Sequence, residues 1–344
     1  MADVERLTKN SDDVVVLSRA QQESLVREAS RAPSVHNVQP ARWRFGADGT
    51  VTLFRALDRV LPVADPTGHD VAVSLGAAFE GMAIALSRAG LTLGAPMPER
   101  EARADGCEAV VRATITRGGE TDPLAPWVHE RRSHRGKFAA PRPGDRAAIA
   151  ALGADDVRVV ITPDEINAVA PLHDAATWKF ESRAEYHAEL WSWLRLSPAD
   201  PRYRRDGLNA DCLALSPLER RAARLLLRPA SFALLTRLGV ARTLIAESRQ
   251  VKSAAAVVLF TPRVTDAPFD VGRRFYRLWL SIAAAGMCAV PMSASADDPG
   301  VRGILAACYG VPDDRRIANV LRVGRAPAGG VAESGRLPVE ELLV

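Results

Sequence analysis

Five consecutive residues, Arg131-Arg132-Ser133-His134-Arg135, bring three guanidinium groups and a hydroxyl into one short stretch. In an extended turn side chains alternate, so Arg131, Ser133 and Arg135 project to the same side. Two planar forks flanking a hydroxyl can satisfy the oxygens of a phosphate through charge-assisted hydrogen bonds. A second polar stretch, Pro33-Ser34-Val35-His36-Asn37, lies much earlier and runs through Gln39-Pro40 toward a strand candidate. The chemistry these types suggest is the binding of a phosphate-bearing ligand. The competing reading of the arginines is a solvated basic turn, and on that motif alone the solvated turn is the stronger one.

Other chemistries lack their residues. There is no GxGxxG or GxxxxGK[ST] loop, no GxSxG elbow, no HExxH and no close His/Cys group. No metal is expected, and no side chain is singled out as catalytic. Cys107, Cys212, Cys288 and Cys308 are scattered without a CxxC, as suits reduced thiols in a cytoplasmic protein. With 344 residues, 47% apolar, 25% charged and a net charge of +4, the balance is that of an ordinary globular chain. Lys9, Lys137, Lys179 and Lys252 are the only lysines, so the positive charge is nearly all arginine, which suits bidentate phosphate contacts.

The elements that must carry these residues follow in order. Residues 1–15 read as a loose arm without the apolar run of a secretory signal. Ser18 and Gln21 form a capping-box signature for a helix ending before Ala32-Pro33. Strand candidates Trp43–Phe45 and Val51–Phe54 flank Ala47-Asp48-Gly49, a hairpin signal. A long helix from about Asp70 to Arg88, apolar nearly all round and rich in small residues, belongs deep in a core. Its longest apolar run, Val71–Leu86, is interrupted by Glu80 and falls short of the ~20 residues a membrane span needs. A strand over Glu108–Thr116, helices near Gly144–Leu152 and from Asp164 (read as the N-cap) to about Leu196, and strands at Val157–Ile161, Ala254–Phe260 and Ile317–Val323 complete the pattern with a second long helix, Phe269–Ala285. The helix-then-strand order recurs in the two halves, a weak internal duplication. Residues 198–250 read as an inserted amphipathic excursion in which arginines alternate with leucines.

RRSHRGKF at 131–138 resembles the RRSxRxF motif that opens nitroreductase-family flavoproteins, and APSVHNVQPARWRF resembles their PSxxNxQPW motif. SGRLPVEELL resembles the family's arginine-proline ending, and Gly286–Ser293 resembles the loop that brings backbone amides to the flavin ring. The order is informative. PSVHN stands in the first half with no RRSxR before it, and RRSHR stands in the second with no PSxxNxQPW after it. The arrangement looks like the Acg-like branch, in which a fused chain mimics the family's dimer, and YHAELWSW at 186–193 precedes the excursion as it does there.

The resemblance implies a nitroreductase-like α+β fold: two fused halves, 1–125 and 126–344, around a pseudo-two-fold axis, with antiparallel-rich sheets and long central helices. It implies one FMN, with the 198–250 excursion as a lid. Carried over by position, Arg131, Ser133 and Arg135 hold the phosphate, assisted by Arg336. Pro33, Ser34, Val35 and Asn37 approach the isoalloxazine from the other half, near Gln39. Met292 and Ser293 lie by the reactive edge of the ring. Ala41 stands in place of the motif's tryptophan and Ser334 in place of a lysine, departures that bear on flavin affinity.

Such a protein passes electrons from NAD(P)H through FMN to nitroaromatic or quinone-type acceptors. A lid closed over the flavin suits the alternative, a flavin-sequestering or storage protein with little turnover. A third reading, nucleic-acid binding by the excursion, is disfavoured because Arg220–Arg228 are interleaved with leucines and Glu219, as in an amphipathic helix lying on its own protein. The expected partners are FMN, NAD(P)H and a small aromatic acceptor, with neither nucleic acid nor membrane, in a monomer mimicking a dimer or a weak homo-oligomer.

Overall fold

The computed structural model describes residues 15–344, so the arm expected over residues 1–15 lies almost wholly outside it. The first half begins with α1 (Arg19–Ala29), whose capping box forms as expected: Gln21 N–H donates to Ser18 Oγ at 3.3 Å, and Ser18 N–H donates to Gln21 Oε1 at 2.9 Å. Strands β1 (Ala41–Phe45) and β2 (Thr50–Ala56) make the hairpin. After α2 (His69–Arg88) come β3 (Leu91–Leu93), the two-residue β4 (Met97–Pro98) and β5 (Arg103–Ala104), and the long β6 (Cys107–Arg117). Along β6 buried and more open residues alternate, as on a sheet with one face on a core. The sheet order is β1-β2-β6-β3, all antiparallel.

The second half carries α3 (Asp145–Ala150), β7 (Val157–Val160), α4 (Pro163–Glu181) and α5 (Ala184–Trp193). The short parallel pair β8 (Leu194–Arg195) and β9 (Leu208–Asn209) opens the excursion. It continues through α6 (Pro217–Leu226), α7 (Pro229–Arg237), α8 (Ala241–Ile245) and α9 (Ser248–Val251). Then follow β10 (Ala256–Phe260), α10 (Pro268–Ala284), β11 (Cys288–Pro291), α11 (Ser293–Asp297), α12 (Pro299–Cys308) and β12 (Asn319–Gly324). A second antiparallel sheet runs β11-β12-β10-β7. The architecture is the α+β one expected, with a sheet in each half and two long helices between.

The long helices α2 and α10 cross where each has a glycine. A Cβ on Gly76 would come within 1.8 Å of the Phe269 carbonyl oxygen, and one on Gly272 within 1.9 Å of that of Val73. The two contacts are reciprocal, as a pseudo-two-fold axis between the helices requires. The α2 helix is long and apolar enough to cross a membrane by composition, yet it is mostly buried inside the protein. Its buried carboxylate, Glu80, is neutralised from α10 by Arg273 and Arg277, both at 2.9 Å.

The tail crosses from the second half to the first. Trp43 N–H donates to Leu342 O at 2.8 Å and Val344 N–H to Trp43 O at 2.9 Å, extending the first sheet beside β1.

Four expectations need correction. The cap of α4 is Thr162, not Asp164: Thr162 is extended and its Oγ accepts from Glu165 N–H, while Asp164 already lies inside the helix. The helical stretch to Leu196 is two helices, broken at Ser182-Arg183, where Arg183 turns extended. The stretch Gly286–Ser293 is not all loop, because Cys288–Pro291 forms β11 on β12, an apolar run that the sheet buries. Finally, α6 lies on the protein only in part: Ala223, Leu226 and the capping Leu227 are half-buried, but no residue is fully buried, and Leu218 and Leu225 face water.

Candidate functional site

Of the RRSHR stretch, Arg131 and His134 are buried, while Arg132, Ser133 and Arg135 are half-buried. Arg131 is only 8% exposed; its guanidinium lies 4.8 Å from the Trp279 ring centroid and donates to the Arg31 carbonyl at 2.9 Å. Arg336 reaches the same point from the tail, donating to Arg31 O at 3.3 Å, Ser30 O at 2.6 Å and Asn37 Oδ1 at 3.0 Å. Burial and the neighbouring charges of Arg131 and Arg31 push Arg336 down to about 9, and burial lowers Arg131 too. Neither has a carboxylate partner among the described residues. Three buried donors here, Arg131 Nε, the Tyr276 hydroxyl and Trp279 Nε1, have no acceptor. Buried cations and donors left in this state are costly, and an anion with several oxygens satisfies both deficits.

The rest of the stretch is pinned by a residue that sequence reasoning missed. Arg322 of β12 is fully buried and donates to Arg135 O at 2.6 Å and Gly136 O at 2.9 Å, with its guanidinium 5.2 Å from the Phe138 ring centroid. Burial pushes it down to about 10. Ser133 pairs with Ala289 of β11 through a parallel backbone bridge. So held, the Arg135 side chain makes no hydrogen bond or ion pair among the described residues, and its charge acts on His36, Cys212 and Glu247. Burial first, then Arg135, pushes His36 down to about 4, so this imidazole is neutral.

The PSVHN turn is strained and heavily braced. His36, Asn37 and Gln39 have φ of 43°, 55° and 54°, a left-handed backbone that non-glycine residues avoid. Gln39 N–H donates to Ser34 Oγ at 3.0 Å, and Val35 N–H to Ser74 Oγ of α2 at 3.1 Å. The amides of Asn37 and Gln39 serve the chain itself. Asn37 Nδ2 donates to Gly335 O at 3.0 Å and Gly207 O at 3.2 Å, and Gln39 Nε2 to Arg205 O at 2.8 Å. Leu337 N–H donates to Gln39 Oε1 at 2.9 Å. The turn thus clasps the tail and the start of the excursion. The excursion adds a buried hub, Asp206, which accepts from Arg59 at 2.6 Å, Arg202 at 2.6 Å and Arg195 at 2.9 Å.

Met292 and Ser293 sit elsewhere, sharing no hydrogen bond with these residues. Met292 is buried in the second-half core with its N–H on Val320 O at 2.7 Å, and Ser293 is exposed at the start of α11. Two residues on, buried Ser295 Oγ lies 2.9 Å from His173 Nδ1, whose Nε2 is 3.4 Å from Glu247. Burial, then the charge of Glu247, pushes Glu181 up to about 8. Burial and acidic neighbours, Asp297 foremost, push Asp70 up to about 7.

Two cavities adjoin these groups. A groove of about 650 Å³ runs between Arg27 and Arg31 of the first half, Arg204 and Asn209 of the excursion, and Ser334 and Arg336 of the tail. A small cavity of about 30 Å³ lies under the turn, lined by Pro33, Ser34, Gln39, Ala41 and Ser74. Arg131 and Arg336 are therefore joined through the Arg31 carbonyl and Arg336 and Asn37 directly, while Pro33, Ser34 and Gln39 share one cavity.

No family model matches the chain. It is similar, at 32% identity over 180 residues, to the Acg protein of Mycobacterium tuberculosis, provisionally named an NAD(P)H nitroreductase. That match covers 49% of this chain and 53% of the relative. A second M. tuberculosis protein with the same provisional naming is 30% identical over 171 residues, 48% of each chain. The chain spans about half the length of the curated relatives it matches. Among solved structures, a nitroreductase-named protein from Anabaena variabilis aligns over 91% of this chain and 90% of its own, with a TM-score of 0.46 and 10% identity. The FMN and NADPH-dependent nitroreductase NfnB from sphigopyxis sp. strain HMH aligns over 65% of this chain and 98% of its own, with a TM-score of 0.38 and 18% identity.

Proposed function

We propose, from this similarity to Acg-type nitroreductases, that the chain is an FMN-binding oxidoreductase of nitroreductase type, built as two fused halves that form one flavin site at their seam. The observation that carries the reading is the buried, carboxylate-free pair Arg131 and Arg336 with the unsatisfied donors beside it. A flavin phosphate supplies the oxygens those groups lack. Arg131, Ser133, Arg135 and Arg336 hold the phosphate end. Pro33, Ser34 and Val35 line the approach to the ring, while Asn37 and Gln39 position that turn against the tail. Met292 and Ser293 are assigned to the ring's reactive edge by position in the chain.

When bound, FMN supplies the redox chemistry, taking electrons from NAD(P)H and passing them to a nitroaromatic or quinone-type acceptor, and the protein contributes binding, orientation and electrostatics. No side chain is assigned as acid or base. Arg322 sets where the Arg135 backbone stands, and burial first, then the charge of Arg135, keeps His36 neutral.

A second reading, flavin sequestration, is favoured by the excursion. Its first segment is tied to the PSVHN turn through Asn37 and Gln39, and to Arg59 through the Asp206 hub, as a closed lid would be. The experiment that tests both starts with FMN titration of the purified chain, followed by flavin fluorescence. The double variant Arg131→Ala, Arg135→Ala loses FMN retention, since each charged hydrogen bond is worth about 1.5–3 kcal/mol. Retention unchanged in that variant refutes the phosphate assignment. Anaerobic mixing of the loaded protein with NADPH then separates the readings: rapid bleaching supports the oxidoreductase, and an unchanged spectrum supports storage.

A further inference from the structure

The excursion turns an apolar surface outward as well as inward. Inward, Phe232 of α7 is buried and stacks on His187 of α5 at 3.7 Å between ring centroids, and Ala223 and Leu227 pack against Leu196, Tyr203 and Ala210. Outward, Leu218 and Leu225 of α6 are 75% and 58% exposed, seven residues apart on one helix face. Leu234 and Leu238, at and just past the end of α7, are 57% and 66% exposed and four apart. Successive helices therefore each show water a leucine stripe, although α6 packs on α7 and carries a Ser216–Glu219 capping box.

The charge on this surface is nearly all of one sign, Glu219 in the first turn of α6 being the exception. Arg220, Arg221, Arg224, Arg228, Arg237 and Arg242 fall between Arg220 and Ala246, and that stretch contains no aspartate or glutamate. Arg221, Arg224, Arg228 and Arg237 are exposed beside the leucines and enter no ion pair among the described residues. We propose that the outer face of α6–α8 docks on an anionic lipid bilayer, leucines at the acyl boundary and arginines at the headgroups. Basic residues flanking an aliphatic stripe are what such an interface selects. A second copy of the chain is a poor occupant, because it brings the same arginines against these. A protein partner is a weaker fit, since the exposed large apolar residues of the face are all aliphatic, whereas the cores of protein interfaces are enriched in aromatics. The proposal does not depend on the flavin reading.

The test is co-sedimentation of the full chain with phosphatidylcholine vesicles, with and without about 30 mol% phosphatidylglycerol, at low and high salt. The chain pellets with the anionic vesicles at low salt and stays in the supernatant with phosphatidylcholine alone. Two variant sets, Leu218→Ser with Leu225→Ser and Leu234→Ser, and Arg221→Gln with Arg224→Gln and Arg228→Gln, each lower the bound fraction about ten-fold or more. All six positions are open or half-open to water, so folding, checked by circular dichroism, is retained. No sedimentation with anionic vesicles overturns the proposal, as does wild-type binding by the serine set. Retention on heparin without vesicle binding overturns it as well, in favour of a polyanionic macromolecule.

Discussion

Arg131 and Arg336 meet at one carbonyl without a counter-charge, and Glu181 is the acidic counterpart, a carboxyl that the fold holds protonated. Its folded value of about 8 lies above the ordinary 4.5, with burial the main cause and Glu247 the second. Such a group contributes its full stabilisation below pH 4.5 and loses it as pH rises through 8. The native protein therefore loses stability between those values, and Glu181→Gln flattens that loss. The difference, about 1–2 kcal/mol near pH 8 once partial exposure is allowed for, is read from urea melts across the pH range. An identical slope in the variant contradicts the assignment. At this scale the sequence was informative where a motif was local, as in RRSHR, whose Arg131 is buried while Arg132 pairs with exposed Glu333. Arg322 was invisible because an arginine alternating with apolar residues in VLRVG reads as the wet face of a strand. What makes it a buried brace is a loop nearly two hundred residues away, met only in three dimensions.

Among the elements, the α2–α10 crossing is the tightest constraint. Gly272→Ala places a methyl where the Val73 carbonyl already stands, so backbone must move, and the variant loses about 3 kcal/mol or more in chemical denaturation. Gly303 of α12 is the control. Nothing lies within 4 Å of its added Cβ, and Gly303→Ala is neutral or stabilising by about 0.5–1 kcal/mol. Equal effects at the two positions refute close packing at the seam. Helices were legible because their signals are local: the Ser18 cap, the small-residue run of α2 and the glycines that close it. Strand β11 was not, because its hydrogen bonds belong to β12, thirty residues on, and a four-residue apolar run fits a loop equally well. The excursion's helices were legible too, but not the direction of their leucines, since an amphipathic pattern does not say which face meets protein.

At the scale of the whole molecule, the halves are not separable bodies. The core of the first half contains Tyr276 and Leu280 from α10 and Leu337, Val339 and Leu342 from the tail. The expectation is a single cooperative thermal transition by near- and far-ultraviolet circular dichroism, and no stable fold for residues 1–125 expressed alone. Two resolved transitions, or a folded isolated half, contradict the shared core. The Arg31 carbonyl shows what such interleaving means for a chain still being made. It is met by Arg131 from 100 residues later and by Arg336 from 305 residues later. At a synthesis rate of about 5–20 residues per second, the second arginine follows the first by roughly ten to forty seconds. During that interval Arg336 and the Gly335 and Leu337 contacts that clasp the PSVHN turn are not yet made, so the site is assembled late. A ligand that needs both arginines is therefore captured only after the tail is made, and the speed of elongation sets how long the half-made pocket stands open.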